Sequence, residues 1–159
     1  TYRRMAEETV DLAIMHANLS ANPCITKTLK IHGSTETKGN HHLDIYGTDR
    51  ANIEKLGQQE PELNEKLHPA FPYIKAEVVW SARNEMAETI EDILSRRLRI
   101  LFIDAYAAKE MAPVVASLLA KELKQQISWE NDQINNFNNL ANGYIYQSVE
   151  IETQPALAK

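Results

Sequence analysis

Five apolar residues, Ile90, Ile93, Leu94, Leu98 and Leu101, recur at helical steps through ETIEDILSRRLRILFIDA, residues 88–105. That spacing puts them on one face of a helix, and such a face must be buried against other elements. The same period returns elsewhere. Met5, Val10, Leu12, Ala13, Met15 and Ala17 carry it through 2–19, and Ile74, Val78, Val79, Ala82 and Met86 through 71–88. Near the end, Ile127, Ile134, Phe137, Leu140 and Tyr144 mark one more face. Between 20 and 47 the period vanishes into SANPC, HGSTETKGNHH and YGTD, dense in residues that favour turns. The expected fold is therefore mainly α, a compact multi-helix domain with one long irregular segment at about 20–47. A short extended piece is expected inside it, at 26–31.

Local signals place the ends of the helices. Thr1 is expected to cap the first, with Glu7 and Glu8 early in it, where the helix dipole favours acids. Thr48 and Asp49 precede RANIEKLGQ, and Pro61 and Pro69 bracket a short helix, PELNEKLHP. Thr89 and Asp92 stand as a variant of the capping box, Asp104 caps a long helix from 105, and Ser128 caps WENDQINNFNNLANGYI. Pro113, inside the long helix, predicts a kink or a break. Residues 148–159 read as a flexible tail.

Composition narrows the function. At 159 residues with 43% hydrophobic residues, the chain can bury a core of its own. A net charge of −5 argues against nucleic acid as a partner. No apolar run reaches the length of a membrane span, and no secretory leader is expected at the start. One cysteine, Cys24, leaves no internal disulfide and suits a reducing compartment. The chain opens at Thr1 without Met, directly in a helical pattern, which reads as part of something larger.

No catalytic constellation stands out. His32, His41, His42 and His68 lie in or near loops without a partner at ligand spacing, so no metal site is expected. Cys24 lacks an activating base, and neither a glycine-rich phosphate loop nor a G-x-S-x-G elbow is present. Trp80 and Trp129 read as core anchors. The asparagines around Phe137 and Leu140 read as the wet face of an amphipathic helix. What remains is Arg96, Arg97 and Arg99, three cations in an acidic chain. Asp92 and Arg96 stand four apart with the acid first, the preferred order for a pair, and the arginines fall late in a helix. A guanidinium left over would suit an acid on a neighbouring domain, or a phosphate.

The run E-M-A-x-T-x-E-D-x-L-x-R-R-x-R, carried by Glu85, Met86, Ala87, Thr89, Glu91, Asp92, Leu94, Arg96, Arg97 and Arg99, closely resembles the C-terminal helical domain of the FAD-dependent, membrane-associated glycerol-3-phosphate dehydrogenases. YGTD at 46–49, HPAFPY at 68–73 and AAKEMAPVVASLLAKEL at 107–123 fit the same family. Asn84 and Leu98 depart from its pattern, where His and Thr are common. The opening TYRRMA resembles the second half of the motif that ends the flavin domain in that family. There a helix N-terminus approaches the flavin, which makes Thr1 the expected cofactor-binding residue.

The resemblance implies three segments: 1–19 as the end of the flavin domain and a linking helix, 20–147 as the C-terminal helical domain, and 148–159 as the tail. It implies an intact enzyme that oxidises sn-glycerol 3-phosphate to dihydroxyacetone phosphate, with FAD as cofactor and electrons passed to a membrane quinone. This portion is expected to be inactive alone and to hold no cofactor. Its implied partners are the flavin domain of the same chain, further copies in a homo-oligomer, quinone and the membrane surface. The implied location is cytoplasmic, peripheral on the inner face of the inner membrane. Glu85, Asp92, Arg96, Arg97 and Arg99 become the expected interdomain motif. Two alternatives are an oxidase that returns electrons to oxygen and a freestanding helical interaction module.

Overall fold

The computed structural model describes residues 1–36 and 39–146. The tail expected at 148–159 lies outside the described residues. The chain forms two compact units, Thr1–Thr48 and a second from Asp49 onward.

The first unit opens with α1 (Tyr2–Ala17). Arg3–Glu7 and Arg4–Glu8 ion pairs, 2.9 and 2.8 Å long, brace its first turns, each four residues apart. Thr1 is the N-cap residue, but its side chain makes no capping hydrogen bond. Asn18, with φ 51°, closes the helix in the left-handed conformation that its short amide side chain tolerates. The apolar stripe read from the sequence is present, yet no α1 residue is buried; Tyr2, Met5, Val10, Leu12 and Met15 are all exposed.

Beyond α1 the described residues form no helix or strand until a 3₁₀ segment, His42–Asp49. The extended piece expected at 26–31 is a turn at 26–28 instead, closed by Thr28 and Leu29 N–H groups on the Ile25 carbonyl at 3.1 Å. The alternation of Thr26, Thr28 and Lys30 with Lys27, Leu29 and Ile31 is too short to outweigh a local turn. Gly47 is required for steric reasons. Its φ is +56°, and a Cβ would stand 1.7 Å from the Gly33 carbonyl oxygen.

The second unit holds the core. It runs through α2 (Arg50–Gln59), a 3₁₀ turn (Pro61–Asn64), α3 (Lys75–Asn84), a π-helix (Asp92–Arg97), a 3₁₀ turn (Ile100–Phe102), α4 (Ala105–Leu123) and α5 (Ile127–Asn142). Pro61 starts its helix as expected, but the helix stops at Asn64 rather than at Pro69. The chain turns extended at Glu65, and Lys66 and Ile74 form an isolated antiparallel bridge. Glu77, 2% exposed, starts α3 by accepting the Ile74 N–H at 2.7 Å. α3 ends at Asn84 because Met86 adopts φ 53° and the Ala87 N–H turns back to the Ser81 carbonyl at 3.1 Å.

α4 is the spine, packed by α3 on one side and α5 on another. Its buried side is Ala105, Ala108, Met111, Ala112, Val115, Ala116 and Leu119. So many alanines keep the neighbouring helices close, while Met and Leu fill the gaps. Ile90, Ile93, Leu94, Leu98 and Leu101 are all buried against it, as their spacing demands. Each such burial is worth about 1.5–3 kcal/mol. Asp104 caps α4, accepting the Ala107 N–H at 3.0 Å. Pro113 does not break the helix. It sits on the exposed side, where the Lys109 carbonyl that loses its donor can meet water.

α5 starts one residue before Ser128, with Gln126 as N-cap, so Ser128 lies inside the first turn and caps nothing. Phe137 is buried, with Ile134, Leu140 and Trp129 packed partly buried beside it, whereas Ile127 and Tyr144 are exposed. Trp129 is thus a core anchor as read. Trp80 is half-buried outside that core.

Candidate functional site

The segment from Glu85 to Arg99 gathers every residue of the expected motif into one hinge-like passage between α3 and α4. It opens on a reciprocal capping box. Thr89 Oγ1 accepts the Asp92 N–H at 3.1 Å, and Asp92 Oδ2 accepts the Thr89 N–H at 3.0 Å. The same oxygen also takes the Glu88 N–H at 3.1 Å and the Thr89 hydroxyl at 2.9 Å. Burial pushes the Asp92 carboxyl up. Those hydrogen bonds, with the Arg96 charge, outweigh it and hold the group below the ordinary range.

The helix that follows is wound as a π-helix, with the Leu98 N–H reaching five residues back to the Ile93 carbonyl at 2.8 Å. The arginines in and after it have different partners. Arg96 is exposed and pairs twice, with Asp92 Oδ1 at 2.8 Å and Glu91 Oε1 at 2.6 Å. Arg97 turns the other way, half-buried. Its Nε lies 3.4 Å from Glu85 Oε2, and an Nη2–H donates to the Glu85 carbonyl. It thereby pins the strained turn through Met86. Arg99 differs from both. It is not late in a helix but outside one, in the left-handed conformation at φ 59°, exposed, with no ion pair among the described residues.

The five motif residues therefore divide. Glu85, Asp92, Arg96 and Arg97 spend their charge locally, and Arg99 alone offers an uncommitted cation. A hollow of about 340 Å³ adjoins the capping box, lined by Glu88, Thr89, Leu123, Gln125, Trp129 and Gln133. None of the three arginines faces it, so they do not assemble a phosphate pocket there.

The remaining candidates are scattered. The His41 and His42 rings lie 4.6 Å apart, tilted by 37°, and Cys24 Sγ lies 3.1 Å from Thr26 Oγ1. Among the described residues no group of three or more His, Cys, Asp or Glu is placed to hold a metal ion. His68 Nε2 meets Glu110 at 2.8 Å while its Nδ1 accepts the Ala70 N–H at 3.2 Å, a bridge between the loop before α3 and α4. Another clamp that the sequence reading missed joins α3 to α4: Arg83 grips Glu122 with two hydrogen bonds of 2.6 and 2.7 Å. Partners 39 residues apart leave no local spacing signal that could have revealed the pair.

Thr1 offers the little a single residue can. Its side chain is not used in capping, and the free N–H groups at the start of α1 suit an electron-rich edge.

Among the described residues the scaffold is mainly helical, and its signature passage is spent mostly on its own structure. The chain belongs to the family described as the C-terminal domain of alpha-glycerophosphate oxidase, which matches residues 9–134. It is 34% identical over 146 residues to a probable mitochondrial glycerol-3-phosphate dehydrogenase of Caenorhabditis elegans, covering 77% of this chain and 20% of that protein. The mitochondrial glycerol-3-phosphate dehydrogenase of Mesocricetus auratus is 34% identical over 144 residues, with the same coverage of each. A probable mitochondrial glycerol-3-phosphate dehydrogenase of Dictyostelium discoideum is 31% identical over 157 residues, covering 87% of this chain and 24% of that protein. The chain thus spans about a fifth of the length of these relatives. No solved structure matches it. Among the described residues, no helix is long and apolar enough to cross a membrane.

Proposed function

We propose that this chain is the non-catalytic C-terminal helical domain of an FAD-dependent glycerol-3-phosphate dehydrogenase, acting as a cap on the flavin-carrying part of the same polypeptide. The observation that supports this most is the family match over 9–134 in a chain that covers only 20% of its dehydrogenase relatives. On this reading the intact enzyme oxidises sn-glycerol 3-phosphate to dihydroxyacetone phosphate. FAD supplies the hydride acceptor, and electrons leave to quinone. Residues 1–19 continue from the flavin domain, with Thr1 near the cofactor, and 20–147 form the cap. The enzyme is a homo-oligomer, peripheral on the cytoplasmic face of the inner membrane. Arg97 and Glu85 set the shape of the contact surface, and Arg99 faces an acid across it.

A second reading keeps the domain and changes the acceptor. The matching family is described by an oxidase, so an enzyme that returns electrons to oxygen is the alternative. The full-length polypeptide should purify yellow and reduce a soluble quinone when given sn-glycerol 3-phosphate. Hydrogen peroxide produced in step with substrate would move the assignment to the oxidase. A colourless preparation without turnover would remove both readings and leave a helical interaction module.

A further inference from the structure

Phe102, Ile103, Tyr106 and Tyr144 make one exposed apolar surface on the second unit, at 54%, 65%, 64% and 51% exposure. Phe102 and Tyr144 meet edge to face with ring centroids 5.6 Å apart. That contact ties the segment just after α5 to the turn just before α4. Lys109 Nζ, donating to Asn142 Oδ1 at 2.8 Å, holds the same ends of the two helices together. The surface is therefore contiguous and carried on packed elements. Arg99 stands at its edge, with its carbonyl accepting the Phe102 N–H at 3.2 Å. Aromatic rings around an apolar centre with an uncommitted arginine have the composition of an interface's energetic core. Contiguous apolar surface of this kind marks a place that something covers.

Charge and length select the occupant. The acids near Arg99 in sequence are engaged, except Glu88, which lies beside Leu123 and Trp129 at the other end of α4. Asp104 caps α4, Asp92 closes the capping box, Glu91 pairs with Arg96, and Glu85 with Arg97. Glu110, on the next turn of α4, is bonded to His68. A second copy of the same face would therefore bring another arginine and no uncommitted acid. The dehydrogenase relatives, by contrast, carry four-fifths of their length outside the part matched here, since the match covers 20% of them.

We propose that the surface formed by Phe102, Ile103, Tyr106 and Tyr144 docks onto the part of the polypeptide outside these 159 residues, with a carboxylate there opposite Arg99. This rests on the reading of the chain as one domain of a longer flavoenzyme, and it specifies which face makes the contact.

The test places the photo-crosslinker p-benzoylphenylalanine at position 106 of the full-length polypeptide. The same label at position 127 serves as reference, because Ile127 is equally exposed but lies at the opposite end of α5 from Tyr144. On irradiation, the label at 106 should join peptides of the same chain from outside the 159 residues, well above the yield from 127. Arg99→Glu should reduce that yield to the level of the reference. A cross-linked species of doubled mass, adducts with lipid, or equal yields from both positions would each overturn the proposal. Bound flavin is measured on the unlabelled preparation. An intrachain cross-link without flavin would sustain the docking face and sink only the flavoenzyme assignment.

Discussion

Asp92 shows how one carboxylate can be committed in several directions. It accepts hydrogen bonds from the Glu88 and Thr89 N–H groups and the Thr89 hydroxyl, and it pairs with Arg96. Asp92→Ala should cost about 0.5–2 kcal/mol, the range for a lost cap, read from urea unfolding of the 159-residue chain at neutral pH. The pH dependence has a definite sign. A folded-state pKa held below the ordinary value gives stability that is complete above that value and lost as pH falls through the lower one. The difference between wild type and Asp92→Ala should thus be constant above pH about 4 and shrink below it. A difference that grew in acid would refute the assignment. The three arginines should separate in the same assay. Arg96→Ala removes exposed pairs worth about 0–1 kcal/mol, whereas Arg97→Ala frees the Glu85 carbonyl and carboxylate and should cost about 1.5–3 kcal/mol. Arg99→Gly should stabilise the chain by up to about 1 kcal/mol, because φ 59° suits glycine. A loss of stability there would mean that the Arg99 side chain is held within this chain after all.

At the scale of elements, the helices were legible wherever a cap and a period agreed. Asp104 with its alanine-rich stripe, and Thr89 with Asp92, announced α4 and the helical passage before it, and both caps are made as written. What the sequence concealed was winding and termination. Nothing in ILSRRL signals a π-helix, because the four-residue step between buried Leu94 and Leu98 fits an ordinary helical face. Likewise Met86 and Arg99 gave no warning of positive φ, since neither is glycine or asparagine; packing of the surrounding apolar residues imposes it. The helical spacing therefore puts Arg99 in a helix it does not belong to. The expectation of a kink or break at Pro113 erred on the break through the same blindness to surroundings, as a proline facing water loses a hydrogen bond that solvent replaces. Pro113→Ala should restore the N–H to the Lys109 carbonyl and raise stability by about 1–3 kcal/mol, seen as a higher midpoint in thermal unfolding followed by circular dichroism. An unchanged or lower midpoint would show that α4 depends on the proline's own packing.

For the whole molecule, contacts divide the chain at Thr48 and Asp49, a grouping separate from the division after residue 19 that the resemblance implies. The period of the apolar residues could not reveal this, because burial depends on what an element meets. The α1 stripe is as regular as others, yet none of its residues is buried, while the continuous core lies among residues from Leu67 to Ala141. That core, with the Arg83–Glu122 and His68–Glu110 clamps tying α3 and its preceding loop to α4, should sustain a fold without the first unit. The described residues between α1 and the 3₁₀ segment, Cys24 and Ile25 among them, are mostly exposed, which is where a protease finds its substrate. Limited digestion of the 159-residue chain should therefore cut first between residues 18 and 41. The larger fragment, beginning in that interval, should persist and unfold in one cooperative transition. Cuts appearing first between α3 and α4 would mean that the capping box and the Arg97 contact do not hold that passage, and the proposed docking face would lose the rigid base it needs.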